Sequence, residues 1–221
     1  MDELIARLRR ISVSSLCDAD KNLRACDPAI RALVPVTTVA GPAVTAVADG
    51  DLLGMLAVVT SAPAGSVLVV DTRGSILAAS GELFATEARR RGVAAIVVDG
   101  YYRDLRRLPG VGLPVFARGS HPAAGPMGGP AEVGGKVRCG GIDVSPGDVV
   151  VGDEDGVLIA PPERVAALID RAEEIERTEA AVLTAIEAGI PFADLSNAVE
   201  HLAARAEGRE STFTFHLPAG T

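Results

Sequence analysis

The sequence predicts an α/β protein, and three observations carry that reading. Apolar residues make up 48 % of the 221-residue chain, with no Trp, two Tyr and five Phe. The excess is mostly Ala, Val and Leu, and an aliphatic core of that kind suits helices packed on a sheet. Two compact apolar runs, 66–71 and 93–98, flank an amphipathic stretch over 81–91. That strand–helix–strand spacing makes a right-handed parallel crossover the expected connection. From about residue 113 the pattern changes to short β segments parted by Gly- and Pro-rich turns. The length allows one well-buried core, and neither an internal repeat nor a long polar linker divides the chain. One domain over 1–221 is therefore expected, with its core at about 10–190 and a C-terminal helical tail at 191–221.

Each element follows from local pattern. Leu4, Ile5, Leu8 and Ile11 share one helical face over 2–11. Ser14 and Ser15 offer hydroxyl caps for a second short turn. Val and Thr dominate 37–47, a strand expected to kink at Gly41-Pro42, and 51–60 repeats apolar residues at helical spacing. Over 81–91, Phe84, Ala85 and Ala88 form the apolar stripe, with Leu83 at its edge. The strand at 93–98 is expected to end in a turn at Asp99-Gly100. A strand over 113–118 and a Gly/Pro/Ser loop over 119–129 follow, then β segments at 137–139, 148–151 and 156–159. Asp153 to Gly156 supplies a hairpin turn. One long helix is expected over 163–189 and a shorter one near 195–207.

The formal net charge of −8 argues against non-specific binding to nucleic acid or anionic membrane. Arg89, Arg90 and Arg91 are expected to be a solvated last turn complementing the helix dipole. Cys17, Cys26 and Cys139 are too few and scattered for a disulfide framework or a CxxC metal site, and are expected as reduced packing thiols. The start of the chain lacks a basic segment followed by an apolar one, and no apolar run is long enough to span a bilayer. A cytoplasmic protein is expected.

Two segments could carry chemistry. Tyr101-Tyr102-Arg103-Asp104 directly follows the 93–98 strand. Arg103 offers a planar fork suited to a carboxylate, and Asp104 a hard oxygen ligand for a divalent cation. The same pair would also serve as a surface ion pair or a helix cap. Gly81-Glu82-Leu83-Phe84 opens the helix of the same unit, where free amides and the positive end of the dipole favour an anion. There Gly81 would equally end a loop and Glu82 complement the dipole. Adjacent strand-to-helix turns lie at one sheet edge, so the amides of 81–84, the Arg103 guanidinium and a metal at Asp104 would together make a site for a small 2-oxo acid. His121, His201 and His216 lack metal-ligand spacing, and turn chemistry accounts for Asp153 and Asp155.

Here the sequence resembles a family. Glu82, parted by twenty residues from Arg103-Asp104, is similar to the signature of RraA-like 4-hydroxy-4-methyl-2-oxoglutarate aldolases. Segments 15–19, 114–119, 139–141, 146–148 and 155–157 extend the likeness over roughly residues 10–190. The resemblance implies a β/β/α swivelling-type α/β domain with flanking N- and C-terminal helices, assembled as a homotrimer or a dimer of trimers. It implies that the amides of Gly81, Glu82, Leu83 and Phe84, with Arg103, bind the substrate carboxylate. Asp104 would hold Mg²⁺ or Mn²⁺, and Arg103, Asp104 and Glu82 would be the catalytic set. The expected activity is metal-dependent retro-aldol cleavage of a 4-hydroxy-2-oxo acid releasing pyruvate, with decarboxylation of oxaloacetate. No Schiff-base lysine is required. The aldolase pattern has Asp where this chain has Glu82. Family enzymes also borrow a glutamate from a neighbouring subunit, for which Glu176 and Glu179 on the long helix are candidates, although a solvated helix face accounts for both. Some RraA-like members instead bind and inhibit a ribonuclease, and another 2-oxo acid is a further alternative substrate.

Overall fold

Strand β5 (Ala95–Tyr102) organises the structure, a computed structural model that describes residues 1–216. Before it come helices α1 (Asp2–Leu8) and α2 (Val13–Ala19), strands β1 (Arg31–Ala32) and β2 (Val39–Val47), helix α3 (Leu53–Ser61), strands β3 (Val67–Asp71) and β4 (Ala78–Ser80), and helix α4 (Glu82–Arg90). After it come helix α5 (Leu108–Val111) and strands β6 (Val115–Ser120), β7 (Glu132–Val133), β8 (Val137–Cys139), β9 (Ile142–Val144), β10 (Val149–Asp153) and β11 (Gly156–Ala160). Helices α6 (Pro162–Ala166), α7 (Ile169–Glu187) and α8 (Ala198–Ala206) close the chain, with a 3₁₀ turn at Phe192–Leu195.

The main sheet runs β1-β6-β5-β3-β2-β10-β11. Strands β2, β3, β5 and β6 are mutually parallel, whereas β10 pairs antiparallel with both β2 and β11. Parallel strands covered on both faces call for unbroken apolar runs, and Val67–Val70, Ala95–Val98 and Val115–Ala117 are all buried. This parallel-plus-antiparallel α/β arrangement is the swivelling-type architecture expected. Ser12 caps α2 by accepting the Ser15 amide at 3.1 Å. Asp153, assigned from sequence to a turn, is buried and accepts amides from both Asp155 at 3.0 Å and Val13 at 2.7 Å.

Two local expectations are corrected. The strand does not turn at Asp99-Gly100. It shifts register there and continues to Tyr102, as a bulge allows. Gly100 is needed because a Cβ would meet Thr72 Cγ2 and Oγ1 at 2.5 Å, and Thr72 Oγ1 donates to Asp99 O at 2.7 Å. Gly41-Pro42 lies within β2, as expected of one strand over this segment, and both residues pair with β10. The helix expected over 163–189 is two, because Leu168 N bonds back to Val165 O at the tighter i−3 spacing. Strands β1, β4, β7 and β9 have no counterpart in the sequence pattern; each has only two or three residues, too short for a periodic signal.

Two compact units divide the chain, Met1–Ile169 and Asp170 onward. The division falls ahead of the core limit of about 190 expected from sequence. The first unit holds the sheet. The second has its own small core of Val182, Ala185 and Leu195, with Ile190 and Phe215 against it. Phe192, Phe213 and Phe215 stack there at 5.1–6.0 Å. Glu176 and Glu179 lie on its helix α7, and the part of the tail beyond 216 lies outside the described residues. Among the described residues no helix is long and apolar enough to cross a membrane.

Candidate active site

The extension of β5 builds the site. Past Asp99 its neighbour changes from β3 to β4, with Ala78 opposite Tyr101 and Ser80 opposite Tyr102. Two strands therefore end side by side, and their next residues are Gly81-Glu82 and Arg103-Asp104. Arg103 N donates to Ser80 O at 3.0 Å, tying the two turns together. The buried Tyr102 hydroxyl donates to Gly81 O at 3.3 Å. Burial pushes that phenol well above its usual range, against a smaller lowering from the nearby Ser80 hydroxyl. Ser80 Oγ itself is sealed and makes no hydrogen bond of ordinary geometry.

Asp104 adopts φ +64°, the left-handed region that Asp tolerates better than most residues. This turn swings its carboxylate back over the start of α4, where Oδ2 accepts the Glu82 amide at 3.1 Å. Arg103 Nε lies 3.6 Å from the same oxygen. Gly81 is extended, at φ −162°, so its role is closeness rather than freedom. A Cβ there would collide with Asp104 Oδ2 and meet Arg103 Cγ at 2.9 Å.

A cleft of about 340 Å³ opens over these groups, lined by Gly81, Glu82, Leu83, Phe84, Arg103 and Asp104. All six sequence-predicted site residues thus meet at one place within the first unit. They are not equally free. The Glu82 amide, expected for substrate, is already taken by Asp104. The amides of Leu83 and Phe84, in the first turn, have no intrahelical acceptor. Leu83 is 80 % exposed, whereas Phe84 packs against the core. Glu82 turns away from Asp104 and pairs with Arg107 Nη1 at 3.0 Å.

Sequence reasoning passed over part of the wall. Leu52, Ala124 and Met127 also line the cleft; Ala124 bridges to Ala78, and Asp51 holds the segments of the other two. Its carboxylate accepts the amides of Leu53 at 2.7 Å and of Gly128 and Gly129 at 2.9 Å, and Leu52 N donates to Pro126 O at 2.7 Å. The Gly128 and Leu53 amides hold the Asp51 carboxyl below its usual range. The signal available was the pairing of an Asp with a Gly-rich loop some seventy-five residues away, which no local pattern reveals. His121, in the same loop region, faces Ala123 O at 3.2 Å and the Tyr101 ring at 6.4 Å, and is not among the cleft-lining residues.

Among the described residues, no three or more His, Cys, Asp or Glu side chains form a metal cage. The donor set fits another kind of site. Asp104 presents a carboxylate, its side chain 38 % exposed, at the cleft. Mg²⁺ commonly keeps several waters and takes one or two carboxylates plus substrate oxygens. Asp104 suits a water-rich cation of that kind.

The RraA-like model, described as Aldolase/RraA, matches residues 13–159. The chain belongs to the RraA-like family. A protein of Halalkalibacterium halodurans bearing the provisional name 4-hydroxy-4-methyl-2-oxoglutarate aldolase is 33 % identical over 78 % of this chain and 83 % of its own. RraAS2 of Streptomyces coelicolor is described as an unusual member of the RNase ES inhibitor RraA family. Its structure is 30 % identical with TM-score 0.70, covering 80 % of this chain and 93 % of that one. An uncharacterised protein from Pseudomonas syringae, 24 % identical, shares the fold with TM-score 0.76 over 88 % of this chain and 96 % of its own. All of the RraA-like match lies in the first unit, together with the cleft.

Proposed function

We propose that this RraA-like protein is a divalent-metal-dependent carbon–carbon lyase. It cleaves a 4-hydroxy-2-oxo acid by a retro-aldol step that releases pyruvate, and decarboxylates oxaloacetate. The observation that carries the reading is the meeting of an arginine, a carboxylate and free helix amides at one cleft. The name given to the H. halodurans relative supports it.

In this reading Arg103 binds the carboxylate of the 2-oxo acid through its fork, and the Leu83 and Phe84 amides share that charge. Asp104 would hold Mg²⁺ or Mn²⁺. When bound, the cation supplies a Lewis acid that offsets the negative charge developing as the carbon–carbon bond breaks. The Glu82 amide and Arg103 fix the direction of the Asp104 carboxylate, so that little reorganisation is needed when substrate arrives. Glu82, held by Arg107, orients water at the rim and stands ready to move a proton at its free carboxylate oxygen. Helix α7 of a neighbouring subunit in a trimer, or a dimer of trimers, would bring Glu176 or Glu179 to the site.

A panel of 2-oxo acids with Mg²⁺ or Mn²⁺, scored for pyruvate or carbon dioxide, tests the proposal. Turnover should need the metal. Arg103→Ala and Asp104→Ala should each lower kcat/KM by about a hundredfold or more. Metal-independent turnover would sink the reading. The likeness to RraAS2 favours one alternative, ribonuclease binding. Stoichiometric capture of a ribonuclease, without metal-dependent activity, would establish it.

A further inference from the structure

A second cleft, of about 560 Å³, adjoins the first and shares Glu82 and Arg107 with it. Thr86, Arg89 and Arg106 supply its other polar walls. The local charge runs against that of the chain. The protein carries a formal −8, yet three guanidinium groups line this cleft and Glu82 is the one carboxylate among its lining residues.

The three arginines are committed to different degrees. Arg107 gives Nη1 to Glu82 at 3.0 Å, which leaves the rest of its fork for other acceptors. Arg89 Nη1 donates to Val111 O, tying that side chain to the end of α5. Arg106 is exposed, and its side chain has no hydrogen bond or ion pair among the described residues. Like charges gathered on one wall repel one another. A bound anion relieves that repulsion, whereas a neutral group does not.

We propose that Arg106 and Arg107, with Arg89 beside them, bind a second carboxylate at the far end of the substrate, an assignment that rests on the 2-oxo acid reading of the first cleft. Arg103 and the start of α4 then hold one end and the arginine wall the other. The two oxygens of a carboxylate match a guanidinium fork. Arg107, on the boundary of both clefts, sets the span between the two ends. Glu82 keeps Nη1 of Arg107, and the rest of that fork meets the ligand. These arginines determine specificity for the longer, retro-aldol substrate, whose breaking carbon–carbon bond stays in the first cleft; the distal carboxylate of oxaloacetate, a reacting group, stays there too.

Calorimetric titration of the full chain with Mg²⁺ tests this without turnover. The probes are 2-oxoglutarate and 2-oxopentanoate, which have the same length but differ in a terminal carboxylate. The wild type should bind 2-oxoglutarate about tenfold tighter or more. Arg106→Gln, at an exposed and unpaired position, should erase most of that ratio while leaving 2-oxopentanoate affinity unchanged. Arg107→Gln should reduce the ratio too, and Arg103→Ala should weaken both ligands. Equal affinities in the wild type, both dependent on Arg103, would overturn the second subsite and leave the first reading intact. Failure of both ligands to bind in an Arg103-dependent way would overturn both. If Arg106→Gln weakens only a 2-oxo acid ending in phosphonate, the group read is a phosphate and the carboxylate assignment falls.

Discussion

Asp104 combines two properties that substitution can separate. Its backbone lies at φ +64°, and its carboxylate both accepts the Glu82 amide and faces the cleft. Asn tolerates the same backbone region and keeps an acceptor for that amide, but loses the charge. Asp104→Asn should therefore fold with an unchanged melting temperature, yet show metal-dependent turnover reduced about a hundredfold. Equal losses of stability and activity would mean that the carboxylate acts only through structure. Gly81 poses the complementary case. Ala fits its extended backbone but collides with the Asp104 carboxylate. Gly81→Ala should cost about 1–3 kcal/mol in a urea melt and at least about tenfold in kcat/KM, because a small displacement of positioned groups is expensive in rate.

At the scale of elements, the site depends on a strand that passes its expected end. Beyond Asp99, β5 needs a new partner, and the three residues of β4 provide it. Another part of the wall depends on a loop, which Asp51 fastens together with the backbone bonds Leu52 N to Pro126 O and Ala78 N to Ala123 O. Asp51 bonds to Leu53 at the start of α3 and to Gly128 and Gly129 in the loop. Gly125 permits the approach, since a Cβ there would strike the Gly50 carbonyl. Asp51→Ala should free Met127 and its neighbours. KM for the 2-oxo acid should rise severalfold, about 1 kcal/mol of positioning, with kcat less affected. A change confined to kcat would argue against a wall-forming role.

On the scale of the whole molecule, carboxylates fasten loops of the first unit to one another. Backbone amides, Ala29 for Asp27 and Asn22 for Asp20, together with Arg118 and Arg164, hold both carboxyls below the usual range, as the Gly128 and Leu53 amides do for Asp51. A carboxyl whose folded pKa is depressed stabilises the fold fully above its unfolded pKa. That contribution is lost as pH falls through the folded value. Thermal melts should thus stay level from neutral pH to the ordinary aspartate range, and decline below it. Stability that rises on acidification through that range would contradict the sign. The more buried Asp99–Arg118 pair, at 2.5 Å, sits deeper in the same set, with Asp99 also accepting the Gly140 amide at 2.8 Å.

Local pattern in the sequence determined the α/β class, the buried runs of β3, β5 and β6 and a helix over 81–91; it offered Gly81 to Phe84, Arg103 and Asp104 as candidates, which adjacent turns and the family resemblance joined into one site. Those features rest on periodicity, capping and residue chemistry, which act over a few neighbours along the chain. Only the tertiary structure decided which groups remain free for a ligand. It showed that Asp104 takes the Glu82 amide, that Arg107 takes the Glu82 carboxylate, and that Asp51 draws a distant loop over the cleft. Where β5 shifts register, Gly100 passes close to Thr72, just beyond the end of β3, and Thr72 donates to Asp99 O. Hydrogen bonds between residues far apart in sequence are set by where strands end and how they pair, and a linear pattern carries no record of that geometry.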